Sequence, residues 1–117
     1  VGFYECAGEN PDGTPYQGFA EIVRFQETFR ILWTVNGDSF LGVGILKGDV
    51  FAVSYFVGAP AVVVYKVDGN RLVGEWVMGG VEGHVSPDVL TKTDKHPPPP
   101  EPRKPPGVPP EHPGIRL

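Results

Sequence analysis

Residues 61–76 read AVVVYKVDGNRLVGEW, and this stretch decides the fold. Valine and aromatic residues dominate both halves, and Asp68-Gly69 between them is a strong signal for a two-residue hairpin turn. Side chains alternate between the two faces of a strand, so one face of this hairpin is apolar. The other face holds the charged side chains Lys66, Arg71 and Glu75. The stretch therefore predicts an antiparallel hairpin with one buried face.

The position of the turn also predicts a register. A loop at Asp68-Gly69 sets its two flanking residues opposite each other, and the other pairs on that face follow at every second residue. The predicted pairs on the apolar face are Val67 with Asn70, Tyr65 with Leu72, Val63 with Gly74, and Ala61 with Trp76. The same reasoning applied to a loop at Gln26-Glu27 predicts Arg24 with Phe29, Ile22 with Ile31, and Ala20 with Trp33.

The hairpin over residues 39–57 is less decisive, because both of its faces are apolar. A loop at Lys47-Gly48 predicts the pairs Leu46 with Asp49, Gly44 with Phe51, Gly42 with Val53, and Phe40 with Tyr55. Leu41, Val43 and Ile45 occupy the opposite face. Either face could be the inner one. If both are covered, a partner or the C-terminal tail packs on the outside of this hairpin.

Turn signals recur about every 11 residues along the first 95 residues, and no segment has a helical period. Short connections join neighbours, and closing such a meander removes its two exposed edges. We therefore predict an all-β fold, a small antiparallel up-and-down barrel over residues 1–95 with an extended Pro-rich tail over 96–117. The predicted strands span residues 2–9, 15–25, 28–35, 39–47, 49–57, 61–67, 70–78 and 81–91.

The charge balance argues against two classes of partner. Residues 1–95 carry seven Lys or Arg against twelve Asp or Glu, a net charge of −5. Residues 96–117 carry three against two, a net charge of +1. A nucleic-acid partner needs clustered basic side chains, so none is expected. No apolar run reaches the length of about 18 residues that a membrane span needs.

The sequence favours a non-enzymatic protein without a cofactor or a metal. Its three histidines are dispersed, and Cys6 is the single cysteine, so no zinc set forms and no catalytic residue is assigned. Glu82 and His84 are predicted on one strand face, as an exposed or satisfied pair, with a metal or acid–base role as the alternative. Cys6 is predicted to be a small buried apolar side chain, with a reactive thiol as the alternative.

Four aromatic side chains fall on the faces predicted to point inward: Trp33, Tyr55, Tyr65 and Trp76. An eight-stranded barrel either fills its interior with such side chains or keeps a small cavity. Aromatic walls with a few polar groups are typical of small-ligand sites. The rings therefore predict either an ordinary core or a ligand pocket.

Five motifs carry a resemblance: ENPDGTxYxG at 9–18, FRIxW at 29–33, GxGILxGDxxAVxY at 42–55, VVVYKV at 62–67 and LxGxW at 72–76. The pattern resembles small exported bacterial β domains of unassigned function, which look similar to avidin-like and lipocalin-like (calycin) barrels. The resemblance covers residues 2–91 and implies the barrel and an exported location, but no site residues. The inward faces lack a biotin-type set of polar side chains, so binding of biotin is not expected.

The beginning of the sequence suggests the same location. Val1 lies directly on a strand-like segment. We therefore expect a periplasmic or extracellular protein whose signal peptide has been removed, with a trimmed chain as the alternative.

Residues 96–117 contain ten of the fourteen prolines. Such a segment favours polyproline II, which docks readily in aromatic-lined grooves. The candidate partner-binding residues are Pro97, Pro98, Pro99, Pro100, Arg103, Lys104, Pro105, Pro106, Ile115 and Leu117. We expect a module that docks on a larger protein through its surface and this arm. The alternative is a carrier of a small apolar or aromatic ligand inside the barrel.

Overall fold

A computed structural model describes residues 1–95 of the chain. It contains eight antiparallel strands, in which inward and outward side chains alternate. They are β1 (Gly2–Glu9), β2 (Pro15–Phe25), β3 (Thr28–Val35), β4 (Asp38–Lys47), β5 (Val50–Phe56), β6 (Pro60–Asp68), β7 (Arg71–Met78) and β8 (Ser86–Thr93). No helix in this part of the chain is long and apolar enough to cross a membrane. The predicted partner contacts of the tail fall on 96–117 and lie outside the described residues.

The sheet closes on itself, which confirms the predicted up-and-down barrel. Each strand pairs with its neighbours in sequence, and β8 pairs with β1. Cys6 of β1 lies opposite Leu90 of β8, and Gly8 lies opposite Asp88. Closure pairs every strand on both sides and leaves no exposed edge.

The hairpin of β2 and β3 confirms its predicted register. Arg24 pairs with Phe29, Ile22 with Ile31, and Ala20 with Trp33.

The hairpin of β6 and β7 has the predicted inward face but another register. Its loop is Gly69-Asn70, and Asp68 pairs with Arg71. Gly69 has a φ of +62°, and a positive φ at the first loop residue alone is the pattern of a type II′ turn. The predicted pairs are therefore wrong by two residues, which leaves each side chain on its predicted face. The observed inward pairs are Val67 with Leu72, Tyr65 with Gly74, Val63 with Trp76, and Ala61 with Met78.

The hairpin of β4 and β5 differs from its prediction in the same way. Its loop is Gly48-Asp49, with a φ of +61° at Gly48. The observed inward pairs are Gly44 with Val53 and Gly42 with Tyr55, and Leu46, which is exposed at the end of the strand, pairs with Phe51. The glycine face is therefore the inner one.

The other face of this hairpin lies on the outside of the barrel. Leu41, Val43 and Ile45 are about half exposed. Leu41 pairs with Leu32 of β3, and Val62 and Val64 of β6 lie on the far side of β5. We call this surface the outer apolar face, and its members are Leu32, Leu41, Val43, Ile45, Val62 and Val64.

The last strand begins five residues later than predicted. Residues 79–85 form a loop in which Gly80 and Gly83 have φ values of +94° and +119°. A strand cannot continue through these conformations. Glu82 and His84 are exposed in this loop, so the prediction that they share a strand face is wrong.

Candidate functional site

The interior of the barrel is filled at one end and hollow at the other. At the filled end, which carries the turns after β2, β4 and β6, the ring of Phe51 lies 5.5 Å from Phe29 and 6.3 Å from Tyr65. At the open end, which carries the loops after β1, β3, β5 and β7, there is a cavity of about 230 Å³. Its walls come from strands all round the barrel: Cys6, Tyr16, Trp33, Val35, Phe40, Tyr55, Val63, Tyr65, Trp76, Met78 and Asp88.

All four aromatic residues predicted as a core or a ligand pocket line this cavity. Trp33 and Tyr55 form one corner, with ring centroids 4.9 Å apart and planes inclined at 50°. Tyr65 of β6 and Trp76 of β7 line other parts of the cavity wall. The four rings therefore belong to the hydrophobic core and also line the cavity.

Asp88 provides a buried carboxyl group in the cavity wall, and the sequence analysis missed it. The residue is 3% exposed and points inward from β8. Its Oδ1 accepts hydrogen bonds from the Tyr16 hydroxyl at 2.7 Å and from the Cys6 thiol at 3.2 Å. Its Oδ2 accepts a hydrogen bond from the Tyr65 hydroxyl. Donors on β1, β2 and β6 thus converge on one side chain of β8.

The sequence around Asp88 does not mark its side chain as inward. Val81, Val85 and Val89 recur at intervals of four, which indicates an apolar face made by the odd-numbered residues. In the barrel Val81 and Val85 belong to the exposed loop, and Ser86, Asp88 and Leu90 point inward. A signal for Asp88 would have required the partners from β1, β2 and β6, which only the closed topology brings together.

Burial governs the electrostatics of this group. It raises the pKa of Asp88 above its ordinary value, and the hydrogen bonds from Tyr65, Tyr16 and Cys6 oppose the rise only in part. Burial, and then the charge of Asp88, raise the pKa values of all three donors. The donors therefore stay protonated at neutral pH, and Asp88 is the member of this cluster that changes its charge.

Burial also makes Cys6 a poor nucleophile. Its thiol is buried, as predicted, and its pKa is raised, so the reactive thiolate is disfavoured. Within residues 1–95, no three His, Cys, Asp or Glu side chains are grouped as a metal site would require.

A glycine makes room for the cluster. Gly8 pairs with Tyr16 on one side and with Asp88 on the other. A Cβ atom at Gly8 would lie 2.4 Å from the Tyr16 hydroxyl oxygen. The missing side chain is what lets this hydroxyl reach Asp88.

The mouth of the cavity is lined by Asn10, Asn36, Asp38 and Val57. Asn10 and Asn36 belong to two tight turns. The side-chain nitrogen of Asn10 donates to the Thr14 hydroxyl at 3.0 Å. Asn36 and Gly37 both have positive φ values, 53° and 83°, as a type I′ hairpin turn requires. The polar mouth is therefore built on hairpins with defined geometry.

One polar group in the wall has no partner. The indole nitrogen of Trp76 is buried, and no group of residues 1–95 accepts its hydrogen bond. An unmade hydrogen bond of this kind costs about 1–3 kcal/mol. An acceptor that reached this nitrogen would remove that cost.

Comparison with known proteins adds no family to this description. No protein-family model matches the chain, and a search of curated proteins finds no match. The cavity and the surface of the barrel are therefore the features that bear on its function.

Proposed function

We propose that the barrel is a non-enzymatic carrier that binds a small, partly apolar ligand in the cavity at its open end. The observation that carries this proposal is the void of about 230 Å³ enclosed by Trp33, Tyr55, Tyr65, Trp76 and Asp88. Protein interiors are close-packed, so a hollow half beside a filled half is unusual for a core alone. Aromatic walls with a few polar groups are the usual composition of a ligand site.

The size of the cavity limits the ligand. An engineered cavity of about 150 Å³ holds a benzene molecule. A cavity of about 230 Å³ therefore suits a ligand somewhat larger than one six-membered ring. The mouth residues Asn10, Asn36 and Asp38 supply polar groups to its outer end.

Intrinsic fluorescence tests the proposal directly. The chain has two tryptophans, Trp33 and Trp76, and both line the cavity. Titration with choline, which does not absorb in the tryptophan range, is expected to change the emission in a saturable way. Binding of indole and p-cresol, which emit in that range themselves, is measured by calorimetry.

Two substitutions provide a matched comparison for this titration. Val57→Phe narrows the mouth and should weaken binding at least fivefold, whereas Phe56→Leu, at an exposed neighbour outside the cavity, should leave it unchanged. Failure of every probe to bind, or equal affinities in the two variants, would refute ligand binding in the cavity.

A second candidate function is supported by the outer apolar face. We propose that the barrel docks on a larger protein through this face and through the arm of residues 96–117. Val43 and Ile45 are 58% and 55% exposed in the middle of a strand. Several exposed apolar side chains on one face of a soluble protein are typical of an interaction site. Arg30 and Ser54, which flank Val43, add polar groups to this one.

The topology favours a large partner over a second copy. The arm continues from Lys95, just after β8, which pairs with β1 and β7. The outer apolar face is centred on β4 to β6, on the opposite side of the ring of strands. A protein that contacts both this face and the point where the arm begins must span the barrel, which fits a large partner. An exported location, which the resemblance implies, is part of this proposal.

Cross-linking in the source cells, followed by mass spectrometry, tests this second candidate. Cross-links from β4 and from residues 96–117 to one and the same protein are expected. Val43→Lys, or deletion of 96–117, should reduce its recovery. A homodimer that Val43→Lys dissociates would assign the face to a second copy and contradict the proposal, as would a complex unaffected by either change.

A further inference from the structure

The charges around the cavity have one sign. Two side chains that line it are acidic, Asp38 at the mouth and Asp88 in the wall. Its described lining contains no Lys, Arg or His. The cations that approach aromatic rings in residues 1–95 do so elsewhere: Arg24 over Phe29, Arg30 over Phe25, and Lys92 over Tyr4. None of these six residues lines the cavity.

We infer that the ligand of this cavity is a small organic cation, such as a quaternary or primary ammonium compound. This inference rests on the proposed ligand-binding function and names the chemical class of the ligand. The cationic group would lie against the rings of Trp33 and Tyr55, with Asp88 as its counter-charge.

The hydrogen bonds of Asp88 leave room for such a contact. A carboxylate has about four lone-pair positions. Oδ1 accepts two hydrogen bonds, from Tyr16 and Cys6, and Oδ2 accepts one, from Tyr65. One position on Oδ2 is therefore left among these contacts. The three donors are neutral, so they hold the carboxyl group in place, and a cation bound beside it would favour its ionised form.

The aromatic walls favour the same class of ligand. Ring faces carry a negative quadrupole that attracts cations, and quaternary ammonium groups are commonly held in boxes of such rings. Trp33 and Tyr55, whose planes are inclined at 50°, offer two differently oriented rings to one group. An anion would instead meet ring faces and two carboxyl groups, and a neutral ligand would leave Asp88 without a counter-charge.

A matched set of probes separates charge from shape. Choline, its neutral isostere 3,3-dimethylbutan-1-ol and the anion 3,3-dimethylbutanoate have nearly the same bulk and different charges. Tryptophan fluorescence or calorimetry should show choline binding at least tenfold more tightly than the alcohol, and the carboxylate binding most weakly.

Asp88→Asn should lower the affinity for choline about tenfold and leave that for the alcohol within a factor of two. Val89→Ala, a neighbour that does not line the cavity, is the control.

The wild-type protein supplies a second readout that does not depend on the folding of a variant. The groups that face Asp88 are Cys6, Tyr16, Tyr55 and Tyr65, and all four have raised pKa values. Between pH 4 and 8 these groups stay protonated. The affinity for choline should therefore fall as acid protonates Asp88. Asp38 is the other carboxyl group that lines the cavity. Asp38→Asn should preserve most of this pH dependence.

The possible outcomes are distinct. If the alcohol binds as tightly as choline, or the carboxylate binds most tightly, the inference of a cation is wrong while ligand binding in the cavity stands. If choline, the alcohol, the carboxylate and indole all fail to bind, the proposed function fails as well. A preference for choline that Asp88→Asn abolishes supports both.

Discussion

Three donors from three strands meet at Asp88, and this side chain is the residue on which the chemistry of the cavity depends. The residues next to Asp88 in the sequence do not predict that its side chain is buried. Cys6, Tyr16 and Tyr65 lie 82, 72 and 23 residues away in the chain. Long-range closure of the barrel creates the cluster, which is why the analysis of the sequence could identify Tyr65 as inward-facing but not its partner.

The ionisation of Asp88 should be visible in the stability of the protein. Its pKa is raised in the folded state from an ordinary value of 3.8, mainly by burial. The native state therefore binds this proton more tightly than the unfolded state, and the free energy of unfolding falls as pH rises through the folded pKa. Below pH 3.8 the contribution is fully present.

Urea denaturation of the wild type and of Asp88→Asn at a series of pH values measures this effect. The difference between the two free energies of unfolding isolates Asp88 from the other carboxyl groups. We expect the wild type to lose stability relative to the variant as pH rises above 3.8. A difference that stays constant from pH 3.5 to 8 would contradict the assignment of a raised pKa.

Tyr16→Phe removes one donor from Oδ1 without changing the ring. Hydrogen bonds to charged groups contribute about 1.5–3 kcal/mol, and Tyr16 is only partly buried. A loss of about 1–2 kcal/mol in the free energy of unfolding at neutral pH is therefore expected. The hydrogen bond from Tyr16 lowers the pKa of Asp88, so its removal should raise that pKa further. Tyr4→Phe, whose hydroxyl does not bond Asp88, is the control, and equal effects of the two substitutions would argue against the cluster.

For the hairpins of β2 with β3 and of β6 with β7, the sequence predicted which face points inward, but it predicted the strand register correctly only for β2 and β3. Asn36-Gly37 forms a type I′ turn, the turn type that an Asn-Gly pair favours, and the register of β2 and β3 follows from the position of their loop. At Gly48 and Gly69 the glycine takes the first position of the loop instead of the second. Both arrangements keep the same faces inward, so the pattern of apolar residues does not distinguish them.

Glycines inside the strands let large rings lie flat against the sheet. A Cβ atom at Gly74 would lie 2.6 Å from both Cδ1 of Tyr65 and the carbonyl oxygen of Val64. Because the second atom belongs to the backbone, Gly74→Ala should reduce the free energy of unfolding by about 1–3 kcal/mol. Gly79→Ala is the matched control, since the nearest atom to its Cβ would be 3.4 Å away. Thermal denaturation measures both, and similar melting temperatures for the two variants would contradict this packing.

The whole molecule is a barrel with a filled half and a hollow half. The sequence predicted the closed all-β fold, the number of strands and the inward position of the four aromatic residues. It could not decide between a core and a pocket, because that depends on how far each ring reaches across the barrel. It also missed the start of β8, where the glycines of residues 79–85 end the pairing in spite of nearby valines.

One measurement tests the central claim, that the open end of the barrel binds a small ligand, most directly. In a ¹H–¹⁵N correlation spectrum of the full chain, Trp33 and Trp76 contribute the only two indole N–H signals. Titration with choline should shift both indole signals and the backbone signals of Asn36 and Asp38. The signals of Phe29 and Phe51 at the filled end should stay in place. The account would be contradicted if the side-chain signals of Trp33 and Trp76 stayed unchanged at saturating concentrations of choline and of free indole. Shifts confined to the outer apolar face would contradict it as well.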